Sequence, residues 1–142
     1  MAVGVQVVFD ASDPARLAEF WAAATGYVVQ PPPTGFDSWQ AFLAQIGVPE
    51  DQWDKASACI DPEGKGPRFF FQKVPEPKTV KNRVHVDLHP GVGYERPERT
   101  AVARADAERL TQLGAQIVRE HDENGEFWIV LTDPEGNEFC VS

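Results

Sequence analysis

The chain has little cysteine, few basic side chains and no long apolar run. It contains two cysteines, Cys59 and Cys140, and its 142 residues can fold around their own core without disulfides, so we expect free thiols. Lysine and arginine number 13 against 22 aspartates and glutamates, which gives a net charge of −9. An acidic surface repels phosphate backbones and anionic lipids, so we expect no nucleic-acid partner and no membrane partner.

The composition otherwise matches that of an ordinary globular domain. Hydrophobic residues make up 42% and charged residues 25%, which excludes a disordered chain and a coiled coil. No apolar stretch approaches the roughly 18 residues of a membrane span, and the start MAVGVQVVFD lacks the basic region of a signal peptide. We therefore expect a single domain located in the cytoplasm.

The chain contains an internal repeat. The tetrapeptide DPEG occurs at 61–64 and at 133–136, each time after an apolar run and before an aromatic one, and it predicts a tight turn. Each copy also follows an alternating strand, VQVVFD or VHVDLH, and a helix that ends at a glycine. The sequence therefore predicts an α+β fold with two homologous halves, each of order βαβββ.

Both predicted helices have boundary signals. The first has Asp13 as its N-cap, Pro14 at its first position and Gly26 just past its end. The second is predicted to run from near Pro97, with Gly114 closing it in the left-handed conformation. On its buried face we expect four residues: Val102, Ala105, Leu110 and Leu113.

Two segments depart from the repeat. Residues 31–55 form an insertion in which three prolines at 31–33 forbid regular pairing and DSWQAFLAQIG predicts a short helix. Residues 73–83 hold four of the 13 basic residues and two prolines, and we interpret them as a linker. The predicted organisation is one domain over 1–142, with module one at 1–72, the linker at 73–83 and module two at 84–142.

These patterns together resemble the vicinal oxygen chelate superfamily, which includes glyoxalases, bleomycin resistance proteins and dioxygenases. The similarity lies in DASDPARLAEFWAAATGY, KNRVHVDLH and LTDPEGNEFCVS, which occur in this order over nearly the whole chain. The Phe20-Trp21 pair, the VPEPK and KNR segments and the ending GNEFC are similar to an actinobacterial glyoxalase-like subfamily. The resemblance implies two tandem βαβββ modules that form an open, partly closed barrel around one cavity, usually in a homodimer.

Alternation along the strands separates a helix-facing set of side chains from a cavity-facing set. In RVHVDLH, the apolar set that a helix would cover consists of Val84, Val86 and Leu88. In the closing strand, Phe139 and Val141 lie opposite the cavity-facing residues. The predicted cavity-facing residues of the two strands are Arg83, His85, Asp87, His89, Glu138, Cys140 and Ser142.

The resemblance also implies four metal-ligand positions, on the first and last strand of each module. Matching the two halves puts Gln6 and His85 at the first-strand positions and Phe70 and Cys140 at the last-strand positions. Phe70 cannot coordinate a metal, and Cys140 stands where the superfamily normally has glutamate. Gln6, His85 and Cys140 remain, and they would hold a divalent metal such as zinc, manganese, nickel or iron. The loss of carboxylates favours a degenerate site.

His85 and Asp87 are the candidate catalytic residues. Asp87 could add a carboxylate ligand or orient the His85 imidazole, and the alternative is a structural hydrogen-bonded pair in the cavity wall. Cys140 could act as a nucleophile only with a nearby base such as His85. His89 is expected to cap a loop, and His121, in the acidic segment EHDENGE, to lie in solvent.

Other candidates would contact an organic ligand. Two tryptophans lie in the insertion. The insertion could fold over the cavity as a lid, so that the tryptophans stack on a flat compound. Alternatively, the two tryptophans only anchor the insertion. The six residues expected to bind such a ligand are Gln6, Asp10, Trp39, Trp53, Phe70 and Cys140.

Two classes of function fit these features. The first is a small-molecule-binding protein with a degenerate metal site, which holds an aromatic or cationic compound without a metal; the acidic charge favours it. The second is a metal-dependent lyase, isomerase or dioxygenase acting on a small oxygenated metabolite, with His85 as ligand or acid-base residue. A partner module in a larger complex has only the basic linker in its favour. We adopt the first interpretation.

Overall fold

The computed structural model describes residues 1–142 and divides into two compact units, Met1–Pro77 and Lys78–Ser142. In each unit a four-stranded sheet is covered on one side by a helix that follows the first strand. The elements of the first unit are β1 (Gln6–Ala11), α1 (Pro14–Thr25), β2 (Val28–Val29), α2 (Trp39–Gln45), a 3-10 helix (Glu50–Gln52), β3 (Ala56–Ile60) and β4 (Arg68–Lys73). Those of the second unit are β5 (Val86–Leu88), α3 (Glu98–Gln112), β6 (Gln116–Glu123), β7 (Glu126–Thr132) and β8 (Glu138–Val141).

The two sheets have the same topology. The strand orders are β1-β4-β3-β2 and β5-β8-β7-β6, and in each sheet the first strand pairs in parallel with the last strand of its unit. The other neighbours are antiparallel. The prediction of two βαβββ modules in an α+β fold is therefore confirmed. The strands form two separate four-stranded sheets and not a closed barrel.

Helix α1 begins and ends where its caps predict. The Asp13 side chain accepts a hydrogen bond from the backbone N–H of Arg16 at 3.2 Å, and Gly26 ends the helix at φ +76°. Trp21 is fully buried against the sheet, with its ring centroid 5.1 Å from that of Phe9 and 5.7 Å from that of Phe69. An aromatic cluster of this kind contributes most of the burial in a small core.

The insertion is held by its own tryptophans. Ser38 caps α2, as the predicted short helix requires. The Trp39 indole N–H donates to the Gln30 carbonyl at 2.7 Å, and the Trp53 indole N–H donates to the Val48 carbonyl at 2.9 Å. Both indoles thus fix the path of the backbone around α2.

Helix α3 has the predicted extent, but of its predicted buried face Leu110 is fully buried and Val102 is half-buried. Gly114 follows it at φ +108°, as expected. The fully buried residues are Ala103, Ala107 and Leu110, spaced at i, i+4 and i+7, whereas Ala105 is exposed and Leu113 is 41% exposed. The two alanines let the helix approach the sheet closely. Because their side chains are small, the spacing of large apolar residues does not reveal this face. No helix here, α3 with its 15 residues included, has the length and hydropathy to cross a bilayer.

Candidate functional site in the second unit

Strand β8 divides its side chains between the core and the open face of its sheet. Phe139 and Val141 are fully buried, whereas Glu138, Cys140 and Ser142 lie on the opposite side. These three residues line a cavity of about 540 Å³ whose wall is made of second-unit residues. The alternation predicted for this strand is present.

Strand β5 is shorter than the sequence predicts. It covers only Val86–Leu88, and Val84 lies before it with 83% of its surface exposed, so the prediction that a helix covers Val84 is wrong. Just after the strand, the Nδ1 atom of His89 lies 2.7 Å from the Oγ atom of Ser142. His89 therefore joins the ends of β5 and β8, and its role as the cap of a loop stays a prediction.

His85, Asp87 and Cys140 come together through strand register. Asp87 and Cys140 are direct partners in the parallel β5–β8 pairing, and His85 precedes Asp87 by two residues. The His85 Nε2 and Asp87 Oδ1 atoms are 3.7 Å apart. One potential ligand atom from each of the three residues lies within 4.8 Å of the other two.

The Cys140 thiol is held in its neutral form. Burial raises the pKa of Cys140 to about 11, and the negative charge of Asp87 and a hydrogen bond to it act in the same direction. A neutral thiol is a weak nucleophile. The surroundings of Cys140 therefore do not support the covalent role considered from the sequence.

The charged groups of the cavity wall are unevenly matched. The Lys81 ammonium donates to the Glu138 carboxylate, and this hydrogen bond holds the pKa of Glu138 below its ordinary value. Three further charged side chains line the wall, namely Arg119, Asp87 and Glu126. Apart from the Lys81–Glu138 pair, the wall therefore contains two carboxylates and one guanidinium.

A stacked aromatic pair in the cavity wall was not predicted. His121 and Trp128 are direct partners in the β6–β7 pairing, with ring centroids 4.4 Å apart and planes 12° from parallel. The His121 side chain is 15% exposed, and its Nε2 atom is buried without a hydrogen-bond partner. The expectation of a solvated loop at His121 is wrong because β6 continues to Glu123.

The sequence does contain a signal for this pair. In EFWIVLT, Ile129 and Leu131 are buried, so period-two alternation puts Trp128 and Val130 on the cavity side. Alternation along this strand therefore indicates Trp128 as a cavity residue from the sequence alone.

The first-unit candidates lie on the open face of the first sheet. Arg68 donates from Nη1 to Gln6 Oε1 at 2.7 Å, and its guanidinium lies 5.1 Å from the centroid of the Phe70 ring. Gln72 donates from Nε2 to Asp10 Oδ1 at 2.7 Å. Gln6, Asp10 and Phe70 thus have partners within their own sheet, and their roles toward a ligand or metal stay predictions, as do those of Trp39 and Trp53.

The donor set of the site has a definite chemical character. An imidazole, a carboxylate and a thiol at His85, Asp87 and Cys140 suit zinc and similar borderline ions better than magnesium or manganese. Such an ion requires the thiolate, so the thiol proton would leave on binding. The residues present therefore fit a metal of this kind.

The fold defines a class of protein. Two βαβββ units, each with its first strand parallel to its last, are the arrangement of the vicinal oxygen chelate superfamily. The chain belongs to the glyoxalase-like domain family, whose model matches residues 6–142. No curated protein matches the chain.

Solved structures share the fold at low sequence identity. A glyoxalase/bleomycin resistance protein/dioxygenase family enzyme from Burkholderia phytofirmans PsJN is 13% identical with a TM-score of 0.60, over 96% of this chain and 94% of that one. A mutant of the fosfomycin resistance protein FosX from Listeria monocytogenes, in complex with Mn(II) and 1S,2S-dihydroxypropylphosphonic acid, is 11% identical with a TM-score of 0.61, over 99% and 90%. The oxidase ChaP-H2 is 13% identical with a TM-score of 0.57, over 99% and 93%. At such identities the similarity concerns the fold.

Proposed function

We propose that this protein binds a flat aromatic or cationic small molecule in the cavity of its second unit, without needing a metal to do so. The observation that carries the proposal is the stacked pair of His121 and Trp128 in the cavity wall. Aromatic side chains give a flat ligand a large apolar contact at a small cost in conformational entropy.

The charge of the wall supports a cationic ligand. Lys81 and Glu138 are paired with each other. In the rest of the wall, the two negative charges of Asp87 and Glu126 outnumber the single positive charge of Arg119. A cation near an indole face is also attracted by the ring quadrupole. The volume of about 540 Å³ lies within the range of ordinary small-molecule sites.

The test is a binding titration with two flat aromatic probes of opposite charge. Acridine orange carries a positive charge, and acridine-9-carboxylate carries a negative one on a similar ring system. We expect acridine orange to bind the wild-type chain more tightly than the carboxylate, and Trp128→Ala to weaken its binding by about tenfold or more.

The matched control is Phe36→Ala, which removes a half-buried aromatic ring of the first unit. This variant should bind acridine orange as the wild type does. Equal affinity for the two probes would contradict the charge preference, and unchanged binding by Trp128→Ala would contradict the proposed site.

A second candidate is a metal-dependent lyase, isomerase or dioxygenase acting on a small oxygenated metabolite. The grouping of His85, Asp87 and Cys140 favours it, because an ion there would be held by three side chains. Elemental analysis of the purified protein beside its His85→Ala variant tests this candidate. One ion per chain that is lost in the variant would support it, and a metal-free wild type that still binds acridine orange would favour the first proposal.

A further inference from the structure

The His85, Asp87 and Cys140 cluster is built from one unit, with Asp87 and Cys140 on two adjacent strands and His85 just before the first of them. Direct pairing of Asp87 with Cys140 sets one edge of the cluster, and the two-residue spacing from His85 sets another. All three belong to the unit Lys78–Ser142. The cluster thus contains three different donor types without any residue from the first unit.

Its dimensions are close to those of a tetrahedral ion site. With bonds of about 2.0–2.3 Å to the ion, ligand atoms lie about 3.3–3.8 Å from one another. The His85 to Asp87 distance of 3.7 Å already falls in this range, and no distance in the cluster exceeds 4.8 Å. The His85 and Asp87 side chains are 45% and 52% exposed, so both can rotate. A movement of about 1 Å would bring the most distant ligand atoms into the tetrahedral range.

The donor types select among ions. A thiolate with an imidazole and a carboxylate favours zinc, cobalt and cadmium, whereas manganese and magnesium favour sites made of oxygen ligands. The charges also balance, since a divalent ion would face the carboxylate of Asp87 and the thiolate of Cys140. The thiol proton is released to solvent when the Cys140 sulfur binds the ion.

We propose that His85, Asp87 and Cys140 form a site for a thiophilic divalent cation, and that this site discriminates against manganese. It differs from the ligand set predicted from the sequence, because Asp87 takes the place of Gln6. Gln6 accepts its hydrogen bond from Arg68 in the first unit.

The experiment is a titration of the metal-free full chain with Co(II), followed by absorption spectroscopy. A cobalt–thiolate bond gives an intense near-ultraviolet charge-transfer band, which sites with only oxygen and nitrogen ligands lack. We expect this band to saturate at about one cobalt per chain. Zn(II) should then abolish it at equimolar concentration, and a tenfold excess of Mn(II) should leave it in place.

Variants assign the band to the cluster. Cys140→Ala should abolish it, whereas Cys59→Ala, which removes the other buried thiol, should keep it. His85→Ala and Asp87→Asn should each weaken cobalt binding by about tenfold or more. Both change exposed side chains, so these two variants test the site even if Cys140→Ala fails to fold.

Three results would overturn the proposal: no charge-transfer band in the wild type, a band that survives in Cys140→Ala, or displacement of cobalt by Mn(II) as readily as by Zn(II). The titration contains no organic probe, so its outcome is independent of the proposed binding of a flat cation. Acridine orange binding that persists beside a failed cobalt titration would leave the proposed function intact.

Discussion

Asp87 and Cys140 lie opposite each other on β5 and β8, and the carboxylate is the second cause of the high pKa of the thiol. Burial comes first, because the thiolate loses its water when Cys140 is covered. A single residue thus influences the protonation state of the thiol that faces the cavity.

Replacing Asp87 by asparagine removes that charge without changing the size of the side chain. We expect the pKa of Cys140 to fall from about 11 while staying above the ordinary 9, since burial persists. The thiolate then forms at lower pH. Ultraviolet absorbance of the thiolate against pH, in the metal-free Cys59→Ala background, measures the change, and a pKa that stays or rises would contradict it.

Asp133 supports the second DPEG turn from inside the protein. It is 2% exposed, and its carboxylate accepts hydrogen bonds from the backbone N–H groups of Glu135 and Asn137 at 2.9 and 3.0 Å. Asp133→Ala should lower the free energy of unfolding by about 2–3 kcal/mol, because it leaves donors without an acceptor.

Asp61 provides the comparison for this effect. It occupies the same position in the first DPEG turn and accepts three backbone hydrogen bonds, but it is more exposed, so water can replace it. Asp61→Ala should lower the free energy of unfolding by less than Asp133→Ala does. Urea denaturation of the two variants would count against the account if their losses were equal.

At the scale of elements, cap residues predicted both ends of α1, whereas apolar spacing predicted only part of the buried face of α3. Asp13 and Gly26 fixed both ends of α1 because capping depends on local backbone geometry. The buried face of α3 depends on its contact with the sheet, and there Ala103 and Ala107 pack where larger residues were expected. The distance between a helix and its sheet depends on tertiary packing, so the spacing of apolar residues along the helix does not predict it.

Leucine substitutions on α3 test this packing. Ala103 has no exposed surface, so Ala103→Leu should lower the free energy of unfolding by about 1–3 kcal/mol through overpacking. Ala105→Leu adds the same atoms on the exposed side and should change it by less than about 0.5 kcal/mol. Equal effects in thermal or urea denaturation would contradict the observed orientation of the helix.

At the scale of the whole molecule, the repeat predicted the architecture, and it predicted which residues of the candidate site lie close together only where their positions depend on the repeat. His85 and Cys140 follow from matching the halves, and Asp87 follows from alternation along one strand. The His121–Trp128 pair was missed because it depends on the register of the β6–β7 hairpin, which extends further than the sequence indicates. The homodimer implied by the resemblance stays a prediction, which sedimentation analysis tests.

The net charge of −9 has a consequence for ligand capture. A negative molecule attracts cations over distances that salt shortens, from a screening length of about 14 Å at 0.05 M to about 4 Å at 0.5 M. Acridine orange binding should therefore weaken by about three- to tenfold across this range. Affinity that is independent of salt would show that the overall charge plays no part.

The central claim, that the ligand lies in the cavity of the second unit, is tested most directly by NMR of the tryptophan indoles. The four tryptophans give four indole N–H signals, of which one, from Trp128, belongs to the cavity wall. On titration with acridine orange we predict that the Trp128 signal shifts most, together with the backbone amides of His121 and Cys140. Shifts concentrated instead on the indoles of Trp39 and Trp53, with Trp128 unchanged, would contradict the account and return the ligand to the insertion of the first unit.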